Sequence, residues 1–103
     1  MTKYRAVKTE IDGIVFHSKK EAARYSELKM LERIGIIHNL ALQPKFPLVV
    51  NGVKVCTYIG DFCYQDQDRR VVIEDVKGAR TAVYSLKAKL FHALNRELRI
   101  TEV

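Results

Sequence analysis

Arg70-Val71-Val72-Ile73-Glu74-Asp75-Val76-Lys77-Gly78 is the most strand-like stretch of the chain. Its β-branched run predicts a strand over 70–77, broken by Gly78. Strand alternation places Val72, Glu74 and Val76 on one face and Val71, Ile73, Asp75 and Lys77 on the other. Asp75 and Lys77 therefore point the same way at the end of an otherwise apolar strand. With thirteen residues between it and Asp75, Asp61 likewise ends a second apolar stretch, Tyr58-Ile59-Gly60-Asp61. If the two stretches pair as a hairpin around 65–69, Asp61 comes close to Asp75 and Lys77 across the ladder. Two carboxylates on neighbouring strands make a hard oxygen site suited to Mg²⁺ or Mn²⁺. A lysine beside them can orient a water or offset charge on a phosphate.

Outward from this centre, the elements alternate in type. Residues 6–16 read as a hairpin turning at Asp12-Gly13. Ser18-Lys19-Lys20-Glu21 matches a capping box and opens a helix, whose stripe is Ala22, Tyr25, Leu28 and Leu31, with Met30 and Ile34 at its flanks. Gly35 is its natural stop. Residues 36–42 are a connection or short strand ending at Gln43-Pro44. Two strands, 46–50 and 53–59, flank Asn51-Gly52, and the β-rich run continues through 61–64 to a polar turn. Thr81 caps a second helix with Val83, Leu86, Leu90, Phe91 and Leu94 expected inside, and 98–103 alternates like a strand. Strands followed by a helix and a strand predict an α/β domain: a mixed sheet flanked by helices, with an N-terminal β-hairpin. The 103 residues form one domain, 1–103, with no repeat or linker.

Tyr58-Ile59-Gly60-Asp61-Phe62 followed by Val72-Ile73-Glu74-Asp75-Val76-Lys77-Gly78 resembles the PD-(D/E)xK nuclease core. The chain is most similar to a set of small phage and prophage proteins known as a domain of unknown function, which share a Ser-Lys-Lys-Glu-Ala helix start (18–22), a Gln-Pro element (43–44) and a Glu-Asp-Val-Lys-Gly strand (74–78). The resemblance covers residues 14–92. In layout it extends to archaeal-type Holliday-junction resolvases and TnsA-like endonucleases. It implies a restriction-endonuclease-like αβββαβ core in which Asp61 and Asp75 ligate the metal, Val76 lends its carbonyl and Lys77 is the catalytic lysine. Glu21 would be the additional acid of resolvase-like members. Gly60 stands where the motif name has proline, a position that varies widely.

Glu21 has a second role open to it, the capping-box bond back to the Ser18 N–H. Glu27, the other helix acid considered, lies about 120° around the helix from Glu21, so both cannot face one metal. The resemblance selects Glu21. Gln43 is a candidate at the site or a polar residue before a turn. Tyr84 and Lys87, on the helix after the motif, are candidate phosphate contacts; otherwise they are a core aromatic and a solvated lysine. His17, His38 and His92 show no ligand spacing. Cys56 and Cys63 read as strand fillers, and no serine or cysteine has a relay for nucleophilic catalysis.

Hydrophobic residues make up 48% and charged residues 29%, a globular composition. No run nears the roughly 20 apolar residues of a membrane span, no secretory signal is read, and the expected location is the cytoplasm, the host cell's for a phage-encoded protein. Eighteen Lys+Arg against twelve Asp+Glu give a net charge of +6, which favours a polyanionic partner. The expectation is a Mg²⁺- or Mn²⁺-dependent DNA endonuclease, structure-specific in the manner of a junction resolvase, serving phage recombination as a homodimer. The alternatives are a non-catalytic basic nucleic-acid-binding module and a metal-independent ribonuclease toxin.

Overall fold

The computed structural model describes residues 8–76 and 80–103. Asp12-Gly13 joins β1 (Thr9–Ile11) to β2 (Ile14–Phe16). Both turn residues have positive φ, 54° and 75°, as a twist-matching hairpin turn demands. Helix α1 (Lys19–Arg33) starts at Ser18, whose hydroxyl accepts from the Glu21 N–H at 3.1 Å. It ends in a Schellman arrangement: Gly35 N–H bonds Glu32 C=O and Ile36 N–H bonds Leu31 C=O. After it come β3 (His38–Leu42), β4 (Lys45–Val50), β5 (Val53–Ile59), β6 (Phe62–Gln65), β7 (Val71–Asp75), α2 (Ala82–Leu94) and β8 (Ile100–Glu102).

The central sheet has the order β3-β6-β7-β8 and is mixed: β3/β6 and β6/β7 are antiparallel, β7/β8 parallel. Helix α2 is the crossover that a parallel pair requires. The αβββαβ order holds, but with different strands than expected. Among the described residues, segments 46–50 and 53–59 pair only with each other, as the hairpin β4–β5, and β3 and β6 take their places in the sheet. Gln43, at φ 50°, precedes Pro44 where the chain leaves the sheet, and the Asn51-Gly52 turn closes β4 onto β5.

Phe62 lies opposite Glu74 and Tyr64 opposite Val72, so these four share one face. That face meets α1 and the β1–β2 hairpin in a core of Phe16, Ala22, Tyr25, Leu28, Ile37, Phe62 and Tyr64. Tyr25 also donates to Asp12 at 2.9 Å, tying the helix to the hairpin turn. The opposite face carries Ile73 and packs against Leu48, Tyr58, Tyr84 and Phe91. The inner stripe of α2 differs from the expectation at Val83 and Leu86, which are 64% and 69% exposed, and at Leu94, also exposed. This helix is apolar nearly all round, so its sequence offers two stripes. Tyr84 and Phe91, seven residues apart, win the inside because rings bury more surface than branched aliphatics. Phe91 meets Phe46 edge-on and tilts against Tyr58. Among the described residues, no helix is long and apolar enough to cross a membrane.

Candidate metal and phosphate site

The end of β7 builds the site. Glu74 and Asp75 are adjacent and both buried, at 1% and 2% exposure, yet point to opposite faces. Asp61 stands just before β6 and extends its ladder by one step: the Asp61 N–H donates to Glu74 C=O at 3.0 Å, and the Gln43 N–H donates to Asp61 C=O at 2.9 Å. That register sets Asp61 beside Asp75, and their side chains are hydrogen-bonded. Asp61 Oδ2 also accepts the Val76 N–H at 2.7 Å. Asp75 Oδ2 accepts from the Tyr58 hydroxyl.

Glu21 reaches the same place from the first turn of α1. Its carboxylate takes a backbone hydrogen bond from His17. Burial raises its pKa first and the Asp75 charge raises it further, against the lowering effect of His17. Asp61 is pushed up to about 7, by burial above all, then by Glu21 and Asp75, with the Val76 N–H acting the other way. A carboxylate that accepts a backbone N–H and is still raised is one crowded by like charge. A cleft of about 270 Å³ opens on this cluster, with Glu21, Gln43 and Asp61 against an apolar wall of Ile14, Phe16 and Leu42.

The structure thus brings together Glu21, Gln43, Asp61, Asp75 and the Val76 backbone. Lys77 lies outside the described residues. Tyr84 is buried, donates to Glu102 at 2.9 Å and feels the Asp75 charge. Lys87 is not at the acid cluster. Its Nζ donates to Thr57 C=O at 3.2 Å and holds α2 to the β4–β5 hairpin. Tyr84 and Lys87 line a separate depression beside Tyr58.

Two features escaped sequence reasoning. Tyr58, three residues before Asp61, reads as an apolar strand residue, and only the fold shows its hydroxyl on Asp75. Glu74 is the other. Arg24 Nε donates to its Oε1 at 2.8 Å and Nη2 to its Oε2 at 2.6 Å, and the Tyr64 hydroxyl donates to Oε2 as well. The bond to Glu74 makes the Arg24 guanidinium still harder to deprotonate. The available signal was position: Arg24 lies one helical turn past Glu21, and Tyr64 alternates with Phe62.

A family model described as "Protein of unknown function (DUF1064)" matches residues 1–103. The chain belongs to that family. No curated protein and no solved structure matches it. Within this DUF1064 domain, the group that the nuclease resemblance implies is a divalent ion, and the donor chemistry fits one. Glu21, Asp61 and Asp75 offer hard carboxylate oxygens, with the Val76 carbonyl beside them. Among the described residues, no three His, Cys, Asp or Glu side chains are already gathered into a ready ligand cage.

Proposed function

We propose that this DUF1064 chain is a metal-dependent DNA endonuclease of the PD-(D/E)xK type, a junction-resolvase-like enzyme of phage recombination or DNA processing. The observation that carries the reading is the pairing of Asp61 with Asp75 beside Glu21, where burial and like charge raise Asp61 to about 7. Two paired carboxylates with a third whose charge they feel favour a cation. A net charge of +6 supplies the attraction to a polyanion.

In the mechanism, Asp61, Asp75, the Val76 carbonyl and Glu21 would hold Mg²⁺ or Mn²⁺. The ion would supply Lewis acidity and make a water acidic enough to act as nucleophile near neutral pH. Tyr58 fixes Asp75 by donating to Oδ2, and the Val76 N–H fixes Asp61 in the same way. Lys77 donates to the phosphate oxygens as charge develops on them. Gln43 borders the cleft at the entrance to these groups. A chain of 103 residues has little surface for reading base sequence, so DNA shape selects the substrate. Symmetric cleavage needs two active sites, so the working form is a homodimer, and its place is the host cytoplasm.

The test is incubation of the purified protein with labelled duplex, flap, fork and four-way DNAs in Mg²⁺, Mn²⁺ or EDTA, alongside a gel shift. Cleavage of branched DNA that EDTA abolishes is the expected result. DNA retarded but never cut with any ion overturns the reading in favour of a non-catalytic basic binding module. Cleavage resistant to EDTA overturns it in favour of a metal-independent ribonuclease-like chemistry.

A further inference from the structure

Glu74 is one of the most deeply buried residues of the chain, and three donors fill its carboxylate: two from the Arg24 guanidinium and one from Tyr64. Stability alone does not account for such a cluster. A buried ion pair recovers in Coulomb energy about what it loses in desolvation, and apolar side chains of similar volume serve a core as well or better. Its location is what sets it apart. Glu74 immediately precedes Asp75 on β7. Arg24 follows Glu21 by three residues on α1, on the neighbouring turn of the same helix face. Elsewhere α1 packs on β1, β2, β3 and on Phe62 and Tyr64 of β6 largely through apolar contacts, which have no preferred direction, with single hydrogen bonds from Tyr25 to Asp12 and from the Leu40 N–H to Glu32. A planar guanidinium fork on a carboxylate fixes both separation and orientation, which an apolar contact or a lysine does not.

We infer that Arg24, Glu74 and Tyr64 form a positioning clamp that registers α1 on β7 and thereby holds Glu21 at the Asp61–Asp75 pair. This deepens the nuclease reading and rests on it. The clamp touches neither substrate nor metal. It acts through Glu21, as outer partners of metal ligands do, and losing such partners typically weakens metal binding about 10- to 100-fold.

The experiment is Mn²⁺ titration calorimetry on the full chain, with thermal unfolding of each variant. The variant Arg24→Met/Tyr64→Phe/Glu74→Leu removes the clamp without orphaning a polar group. Its expected melting temperature is close to wild type, and its Mn²⁺ affinity is at least about tenfold weaker. Glu21→Gln weakens Mn²⁺ binding in the wild-type background but adds nothing in the clamp-free one, because Glu21 is then already displaced. Losses that add in full show independent effects and overturn the clamp, as does unchanged Mn²⁺ affinity. If the triple variant does not fold, Arg24→Lys decides. It keeps the charge and loses the fork, and the same non-additivity with Glu21→Gln is expected. Full wild-type affinity in Arg24→Lys overturns the proposal. A wild-type protein that binds no Mn²⁺ overturns the nuclease reading itself and the clamp with it, a result distinct from binding that ignores the clamp.

Discussion

Asp61 loses water to burial and faces the charges of Glu21 and Asp75, while the Val76 N–H stabilises its anion. The balance favours the proton, so the folded protein binds it more tightly than the unfolded chain does. The stability this contributes is complete below the ordinary Asp value of 3.8 and is lost as pH rises through about 7. At pH 8 the ionised cluster strains the metal-free fold. Asp61→Asn removes one repulsive charge and keeps an oxygen for Val76. The metal-free variant is therefore expected to melt at the wild-type temperature or higher at pH 8, with a flatter pH dependence from 5 to 8. It should also lose most of the ion-induced rise, which for the wild type is about 2.7 kcal/mol at an ion concentration 100 times the dissociation constant. Thermal unfolding across pH, with and without Mn²⁺, measures all three. A variant that melts well below wild type at pH 8, or keeps the full Mn²⁺ response, contradicts this account of the residue.

Elements decide which neighbours on the chain share a fate. On β7, Asp75→Asn is expected to abolish cleavage with little effect on folding, since the amide can still accept from Tyr58. Glu74→Gln has a different profile: it lowers stability and, by loosening the hold on Glu21, weakens ion binding and reduces cleavage without abolishing it. It leaves Arg24 without its counter-charge, a change that costs about 3–5 kcal/mol in a fully buried pair and less here because the Arg24 side chain is 24% exposed, so unfolding in urea separates the two variants. Alternation along 71–76 was legible in sequence because a strand's period admits only two faces, and so were the Ser18 cap, the two Asx-Gly turns and the approach of Asp61 to Asp75. The partners of these acids were not. That Tyr58 reaches Asp75 and Arg24 reaches Glu74 depends on helix phase and on which strands enter the sheet, and neither is a local property. The inner stripe of α2 departs from the spacing for the same reason: Val83 and Leu86 match helical spacing as well as Tyr84 and Phe91, and only the rings of Phe46 and Tyr58 across the interface select between them. Helix α1 has one more tie to the sheet: Glu32 Oε2 accepts the Leu40 N–H at 3.0 Å, which lowers its pKa, with a smaller contribution from Lys29. A lowered carboxylate stabilises the fold above its ordinary pKa of 4.5 and loses that effect as pH falls through the lowered value. Glu32→Ala should therefore cost about 1 kcal/mol at pH 7, the worth of a hydrogen bond to a backbone donor, and much less in acid. An equal penalty at pH 7 and in strong acid would point to packing instead.

Across the whole molecule, the nuclease proposal assigns attraction to DNA and chemistry on DNA to different sets of charges. Eighteen lysines and arginines are spread along the chain, eight of them in its first third, and each phosphate they neutralise adds roughly 0.9 to the salt dependence of binding. Lys77 is one of the eighteen. Its removal lowers the net charge from +6 to +5 and affects a single contact at most, so affinity should fall only slightly and the salt slope by about 1 or less. The chemical step has no such redundancy. On that proposal its transition state would place charge on the phosphate oxygens at one point, near carboxylates that repel it, and one preorganised donor there would be worth roughly 3 kcal/mol, a hundredfold or more in rate. Lys77→Ala should therefore bind branched DNA almost as wild type across a salt series and cleave it at least about a hundredfold more slowly. Filter binding from low to high salt and single-turnover cleavage on the same preparation give both numbers. If Lys77→Ala cuts at the wild-type rate, the lysine has no part in the reaction. If affinity and cleavage fall together by the same factor, Lys77 serves binding, and the separation of attraction from chemistry fails at the residue where it is sharpest.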